Sequence, residues 1–256
     1  MTFPRAFFAF QLTVVQRLVA RFSLSLGDAL QQYTTFTGNI ALEHWEQYLA
    51  GIQATNDGTE WAYQWDLVQR APGPQPGDTT LYGRELFGCF HYSVHKDRNG
   101  DATIVRPHFI KNDQAGMRAL GAERLAVRRA EVRRMFVHVH EHVPNAKNVR
   151  GHSWLYNLPA YRRVYPPAYT AMMPAVGHDE FQYLSFWGQC FDRNWQPKQT
   201  VTEELLRRLE TLDDLAGLRF CFPYQVRLPR CKIDEIYTYL EIGQEHRNNY
   251  KTHGAV

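Results

Sequence analysis

The sequence predicts an α+β protein in which a mixed, mainly antiparallel β-sheet is flanked by helices, with a helical cap at the N-terminal end. Two strand-like runs on either side of Asn99-Gly100 give the strongest hairpin signal in the 256 residues. A helical stripe follows over 122–143, and apolar residues at helical spacing recur through the first 70 residues. A chain of this length buries a sizeable core as one large domain or two small ones.

The N-terminal region is predicted to be helical. One stripe of its first helix is apolar: Phe8, Leu12, Val15, Leu18 and Val19. Further helices are expected over 25–33, 42–52 and 61–68. The Pro- and Gly-rich segment 71–78 interrupts any helix or strand. We therefore expect a helical region over 1–70, a linker or loop over 71–78 and an α+β sheet domain over 79–256.

The hairpin has a defined register if Asn99 and Gly100 are its two turn residues. His91 then lies directly across from His108. One face is a predicted core face: Phe90, Tyr92, Val94, Val105, Pro107 and Phe109. The other face is polar and basic: His91, Ser93, His95, Ile104, Arg106 and His108.

The remaining chain is predicted to alternate between helices and strands. Helices are expected over 122–143, from Pro159 to Pro166-Pro167, from Thr202 as the N-cap through Leu212, and over 233–240. Strands are expected over 148–158, 181–191 and 218–226. We expect these strands to extend the hairpin into one sheet.

Charge and cysteine usage exclude several function classes. A net charge of +3, from 29 basic and 26 acidic residues, is not the footprint of a dedicated nucleic-acid-binding protein. The four cysteines show no CxxC or zinc spacing, so we expect buried free thiols in a reducing cytosol. No apolar run reaches the ~18 residues of a membrane span, and we expect the apolar N-terminal stretch to be a docked amphipathic helix. These observations predict a cytoplasmic protein with a small-molecule substrate and no nucleic-acid or membrane partner, and they leave a homo-oligomer open.

The most conspicuous motif is His138-Val-His-Glu-His142. A strand would align its three imidazoles for a metal ion, whereas a helix brings only His138 and His142 together. The stripe upstream favours the helix. We therefore expect no metal here, but a solvated helix end whose histidines complement the helix dipole.

The hairpin histidines are a second candidate site. His91, His95 and His108 converge with Arg106 on the polar face if the register is as predicted. The arginine charge opposes a cation, so this group favours an anionic substrate over a metal. The alternative is a polar sheet face half open to water.

The stretch 149–165 carries many polar groups for a buried strand, and each of them needs a partner. The candidate catalytic residues are His152, Ser153, Tyr161 and Tyr165, with His152 as general base and one of the tyrosines as proton donor. The candidate substrate-binding residues are His91, Arg106, His108, Tyr156 and Asn157. The alternative is a hydrogen-bonded structural junction.

The order strand, turn, strand, loop, long helix, polar strand, Tyr-bearing helix and strand over 86–192 resembles the core of the GNAT acyltransferases. The resemblance implies a loop over 112–118 that offers backbone N–H groups to the pyrophosphate of acyl-CoA. It implies the cofactor-binding residues Asn112, Gln114, Gly116 and Arg118. It also implies that the strand over 149–157 splays to admit the acceptor, and that Tyr161 or Tyr165 protonates the departing thiolate. The family's loop reads Gln/Arg-x-x-Gly-x-Gly/Ala, and in this chain the glycine after Gln114 lies one place early.

Three functions follow as hypotheses. The first is an acyl-CoA-dependent N-acyltransferase-like protein with acyl-CoA as co-substrate and an unidentified small acceptor. The second is a non-catalytic binding or scaffold protein that docks a partner through an aromatic-rich surface. The third is a His-based metal-dependent hydrolase.

Overall fold

The computed structural model describes residues 3–36, 42–55, 58–69, 80–81, 84–97, 100, 103–110, 112, 118–176 and 181–243. They form an α+β fold with a four-stranded mixed sheet flanked by helices, which confirms the predicted class. The chain divides into two compact units, Met1–Gly73 with Val176–Val226, and Pro74–Ala175 with Arg227–Val256. Each unit combines two separated stretches, and 176–226 falls within the range predicted as the sheet domain. The predicted linker 71–78 lies outside the described residues.

Helices outnumber strands in the described part of the chain. The helices are α1 (Arg5–Phe22), α2 (Leu26–Tyr33), α3 (Trp45–Ala54), α4 (Gly58–Gln69), α5 (Leu125–His142), α6 (Pro159–Arg162), α7 (Pro167–Ala171), α8 (Leu184–Trp187), α9 (Gln199–Glu210) and α10 (Ile233–Tyr239). The strands are β1 (Thr80–Leu81), β2 (Arg84–Glu85), β3 (Phe90–Lys96), β4 (Thr103–Phe109), β5 (Ala146–Arg150) and β6 (Arg230–Lys232). Among the described helices, none combines the length and the apolar character that a membrane crossing requires.

Helix α1 forms the centre of the first unit. Phe8, Leu12, Val15 and Leu18 are buried along its apolar stripe, as the spacing predicts. Gln11 is buried on the same helix, and its Oε1 accepts hydrogen bonds from the backbone N and Oγ1 of Thr35. These bonds satisfy a polar side chain in the core and hold the segment after α2 against α1.

Two predicted strands of this unit are wrong. The range 181–191 forms turns around α8. The indole Nε1 of Trp187 donates a hydrogen bond to the carbonyl of Phe181 at 3.0 Å, and this bond closes the chain into a turn. The range 218–226 begins inside the 3₁₀ segment Leu215–Cys221. That turn starts where Asp214 Oδ1 accepts a hydrogen bond from the backbone N–H three residues later. Side-chain hydrogen bonds to the backbone therefore override the strand-like composition of both ranges.

Helix α9 is present as predicted, but its N-cap is Lys198 and not Thr202. The Thr202 hydroxyl lies within the first turn and donates back to the Lys198 carbonyl at 3.1 Å. The helix therefore begins one turn earlier than the threonine suggests.

The second unit is built on a sheet with the strand order β3–β4–β5–β6. β3 and β4 form the predicted hairpin, and its register pairs Phe90 with Phe109 and His91 with His108, as predicted. β5 runs parallel to β4, with α5 as the connection, and β6 runs antiparallel to β5. Two of the three strand pairings are therefore antiparallel.

The predicted strand over 148–158 is shorter in the structure, because β5 ends at Arg150. Ser153 Oγ accepts a hydrogen bond from Leu155 N at 3.1 Å and starts a 3₁₀ segment over Trp154–Asn157. The predicted Tyr-bearing helix is present as α6, which begins at Pro159 and ends at Arg162, and a further short helix, α7, begins at Pro167 after the predicted end. This part of the chain is a compact turn-rich junction.

One face of the sheet forms the core of the second unit with α5 and α10. Phe90 and Val105 of the hairpin are buried with Phe136 and Ile236 of the two helices. Val94, predicted on the same face, is 46% exposed, whereas its partner Val105 on β4 is buried. Near the hairpin turn this face is therefore buried on β4 but exposed on the edge strand β3.

Candidate functional site

A polar sheet face lies opposite this core. Side chains alternate along a strand, so every second residue of each strand points to the same side. The register places these members of the polar sheet face together: His91, Ser93 and His95 of β3, Arg106 and His108 of β4, Asn148 and Arg150 of β5, and Arg230 and Lys232 of β6. The sequence predicts that the residues of β3 and β4 share this face. The residues of β5 and β6 can be added only when the order of the strands is known, and no local sequence pattern gives that order.

A chain of hydrogen bonds joins the hairpin imidazoles. Ser93 Oγ lies 2.8 Å from His95 Nε2 and 2.7 Å from His108 Nε2. The His91 ring stacks on the His108 ring, with 4.7 Å between centroids and 11° between planes. His91 and Ser93 are buried whereas His95 is exposed, so the chain leads from the interior of this face to its surface.

These imidazoles are neutral at physiological pH. Burial, followed by the charges of His91 and Arg84, lowers the pKa of His108 from 6.5 to about 3. Burial and the charge of Arg84 lower the pKa of His91, and burial and the charge of Arg106 lower the pKa of His95. In the described residues, no group of three or more His, Cys, Asp or Glu side chains is arranged to hold a metal ion. The positive charge beside the imidazoles therefore comes from the arginines.

Two buried nitrogens of the polar sheet face have no hydrogen-bond partner in the described part of the chain. They are Nδ1 of His91, a side chain with 9% of its surface exposed, and Nε of Arg106. A buried donor without a partner costs free energy, about 1–3 kcal/mol. A water molecule or a polar ligand can supply the missing partner.

Strands β4 and β5 separate after a short parallel pairing. They pair from Thr103 with Ala146 to Val105 with Val149, and no further. Beyond that point β4 remains paired with β3. The segment that follows β5 is instead hydrogen-bonded to the segment that precedes β6. Gly151 N donates to the Pro229 carbonyl at 2.9 Å. Each strand therefore keeps its outer neighbour, and the two inner edges over 106–109 and 151–157 are not paired with each other; we call this unpaired place the opening.

Aromatic rings fill the core side of this opening. Phe109 at the end of β4 packs edge-on against Tyr161, with 5.6 Å between ring centroids. Across the opening, a Cβ placed on Gly151 would lie 2.4 Å from the hydroxyl oxygen of Tyr156. Glycine is therefore required at position 151, because any side chain there would collide with the Tyr156 ring.

Four tyrosines form a buried tyrosine cluster behind the opening: Tyr156, Tyr161, Tyr165 and Tyr169. Their hydroxyls pair, Tyr156 with Tyr169 at 3.0 Å and Tyr161 with Tyr165 at 3.0 Å. Burial raises the pKa of Tyr156 to about 12 and raises the pKa of Tyr161 and Tyr165 well above 10. All four therefore stay protonated, and each hydroxyl has another tyrosine as its neighbour.

The remaining candidate residues of the junction have structural partners. Ser153 starts the 3₁₀ segment, as described above. Asn157 Oδ1 accepts from Arg227 Nε at 3.1 Å, and its Nδ2 donates to the Trp154 carbonyl at 2.7 Å. His152 is half-buried next to the open edge. The structure therefore brings His91, Arg106 and His108 together on one face and the tyrosines together on the other.

The loop before α5 is described only in part. Gln114 and Gly116 lie outside the described residues. Asn112 Nδ2 donates to the Gly88 carbonyl at 3.2 Å, and Arg118 is exposed. The backbone N of Gly121 donates to the Arg118 carbonyl at 2.9 Å, immediately before the helix. Both described ends of the loop are thus anchored.

A buried ion pair that the sequence does not predict supports this loop. Arg128 of α5 pairs with Glu131, and their side chains are 1% and 7% exposed. Arg128 Nε also donates to the Ala119 carbonyl at 2.9 Å, and Glu131 Oε2 accepts from Cys89 N at 3.2 Å. The basic run of α5 gives no signal that one of its arginines is internal.

The 138–142 motif is helical, as the upstream stripe predicts. His138 Nδ1 lies 2.9 Å from the Tyr92 hydroxyl and its Nε2 lies 2.9 Å from Glu85 Oε2. The His142 ring stacks on His138, with 3.9 Å between centroids. His140 instead lies against Tyr237, with 5.0 Å between ring centroids. The three imidazoles therefore do not converge.

Comparisons with protein-family models, curated proteins and solved structures give no significant match.

Proposed function

We propose that this protein is an acyl-CoA-dependent N-acyltransferase that acts on a small acceptor. The observation that supports it best is the parallel β4–β5 pair, joined by α5, whose pairing stops at Val105 and Val149. In the GNAT family, named above on the element order, the acceptor enters where the corresponding strands splay. The opening described above lies at that place in the strand order.

The two sides of the opening suit the two proton transfers of amide formation. The acceptor nitrogen attacks the thioester carbonyl carbon, the C–N bond forms and the C–S bond breaks. The nitrogen then loses a proton, and in this proposal water on the polar sheet face accepts it, because a pKa of about 3 makes the His108 imidazole too weak a base. The hydrogen-bonded chain of His108, Ser93 and exposed His95 leads from this face to its surface.

The leaving thiolate needs a proton on the other side. Tyr161 lies next to Phe109 at the core side of the opening and is backed by Tyr165. Burial raises the pKa of the Tyr161 hydroxyl, so the hydroxyl is protonated at physiological pH and is available to donate a hydrogen bond to the sulfur as the C–S bond breaks. In this proposal Tyr161 is the donor and Tyr165 positions it.

The loop over 112–118 is the proposed pyrophosphate site. It precedes the 3₁₀ segment Ala122–Arg124, which contains Glu123, and then α5. A helix N-terminus favours an anion through its backbone N–H groups and the helix dipole. Arg118 adds a positive charge at this end.

A thermal-shift titration with CoA and with acetyl-CoA tests binding. Ligand that binds the folded state raises the melting temperature, and at ~1 mM even a weak co-substrate gives a measurable shift. The absence of any shift with both compounds would overturn the proposal.

A matched pair of variants tests the chemistry. We expect Tyr161→Phe to keep the thermal shift with acetyl-CoA but to lower the release of CoA thiol in the presence of acceptor amines by roughly 10²–10⁴-fold. Tyr237→Phe on α10 removes the same hydroxyl away from the opening and should not change thiol release. Equal rates in the two variants would assign proton donation elsewhere.

One observation favours a non-catalytic binding protein as the second candidate. The Tyr161 and Tyr165 hydroxyls satisfy each other inside the core, as in a structural junction. A thermal shift with CoA but no thiol release with any amine in a broad panel would support this candidate.

A further inference from the structure

We propose that the part of the polar sheet face formed by β4, β5 and β6 binds a small phosphorylated molecule that carries at least two negative charges. This site is separate from the acyl-CoA loop and does not depend on the proposed acyl transfer. Its first support is a surface cavity of about 380 Å³, lined on two strands by Asn148, Arg150, Arg230 and Lys232.

The register forms a row of arginines across three strands. Arg150 pairs with Arg230 in the antiparallel β5–β6 ladder. On the other side, Arg106 follows Val105, whose parallel partner Val149 precedes Arg150. Paired strands lie about 4.8 Å apart, which sets the spacing of Arg150 and Arg230, whereas Arg106 lies just beyond the point where the β4–β5 pairing ends. Lys232 pairs with Asn148 next to the row and adds a fourth cation.

Among the described residues, the arginines of this row have no ion-pair partner. In the described part of the chain, the guanidinium groups of Arg106, Arg150 and Arg230 form no ion pair with a carboxylate. Glu235 also lines the cavity, but its Oε1 accepts a hydrogen bond from the backbone N of Lys232 at 3.1 Å. Like charges on directly opposite strand positions destabilise a sheet. The row therefore favours a ligand that supplies negative charge.

A second observation comes from the end of the row that lies near the imidazoles. Arg106 Nε is buried without a hydrogen-bond partner among the described residues, and so is Nδ1 of His91 on the neighbouring strand. Both nitrogens belong to the polar sheet face. A bound anion would accept from these groups and compensate for their burial.

The chemistry of the row favours phosphate. The planar guanidinium fork matches two phosphate oxygens at once, and Arg is the usual residue where phosphate is bound in this way. A cavity of this volume accommodates a small molecule. A group of several cations on neighbouring strands suits a ligand with two anionic groups better than one with a single group.

Calorimetric titration with inorganic pyrophosphate tests the site. We expect pyrophosphate to bind more tightly than inorganic phosphate and more tightly than succinate, which has two charges but carboxylate geometry. Equal affinity for succinate would overturn the phosphate class, and the absence of binding by pyrophosphate would overturn the site.

Charge-matched variants distinguish the row from a general effect of net charge. Arg150→Gln and Arg230→Gln should each weaken pyrophosphate binding about tenfold or more. Arg134→Gln removes the same charge from an exposed position of α5 and should leave the affinity unchanged. An equal loss in all three variants would refute the row as the site. Arg230 is exposed, so its substitution keeps the test valid if Arg150→Gln does not fold.

Discussion

The buried pair Arg128–Glu131 gives a strong stability prediction. Glu131→Gln keeps an acceptor for Cys89 N but removes the charge that compensates Arg128. Because Arg128 is only 1% exposed, its guanidinium cannot move into water without opening the loop at Ala119. Breaking a buried pair by removing one partner costs about 3–5 kcal/mol, and we expect a loss of that size in the free energy of unfolding of the second unit.

Urea unfolding followed by circular dichroism, together with hydrogen exchange at the Cys89 amide, measures this loss. The double variant Arg128→Met with Glu131→Met removes both charges, and it should cost less than the two single variants combined. Glu204→Gln removes a carboxylate from an exposed arginine pair on α9 and should leave both measurements almost unchanged. A loss below about 1 kcal/mol for Glu131→Gln, or additive costs in the double variant, would refute the reasoning.

Three further predictions concern the opening and its imidazoles. Gly151→Ala places a Cβ against the buried Tyr156 ring, so we expect the free energy of unfolding to fall by about 1–3 kcal/mol, measured by urea unfolding. An unchanged urea midpoint would contradict the close approach of Gly151 and Tyr156. Folding lowers the pKa of His108 from 6.5 to about 3, so between these pH values the unfolded chain is protonated at His108 and the folded chain is not. The free energy of unfolding should therefore fall as the pH drops from 6.5 toward 3. His108→Gln should flatten that part of the pH profile, and an equally steep profile would rule out His108 as its source. Tyr156→Phe and Tyr169→Phe should each cost about 0.5–1.5 kcal/mol, and a double-mutant cycle should show coupling through their shared hydrogen bond, whereas strict additivity would argue against that bond.

The hairpin could be predicted from the sequence because its signals are local. Two strand-like runs and a turn dipeptide specify the register, and the register alone brings His91 opposite His108. The helix over 122–143 followed from its own stripe for the same reason. Predictions of this kind need no knowledge of distant parts of the chain.

The missed features depend on contacts that are distant in sequence or on competing local bonds. Arg150 and Arg230 join the polar sheet face only through the β4–β5–β6 order, which a sequence pattern does not specify. The aromatic range 181–191 has a composition typical of a strand, but the Trp187 indole bonds to the Phe181 carbonyl and favours turns. Ser153 ends β5 by the same competition between side chain and backbone.

Ser93 also has a consequence for the tautomers of two rings that do not touch each other. Its hydroxyl carries one hydrogen and lies within bonding distance of Nε2 on both His95 and His108. When that hydrogen points to one ring, that Nε2 must present its lone pair, and the other ring can complete the chain only with a proton on Nε2. A change of tautomer at the exposed ring of His95 is therefore transmitted to the buried ring of His108 by rotation of a single hydroxyl, without any movement of the backbone.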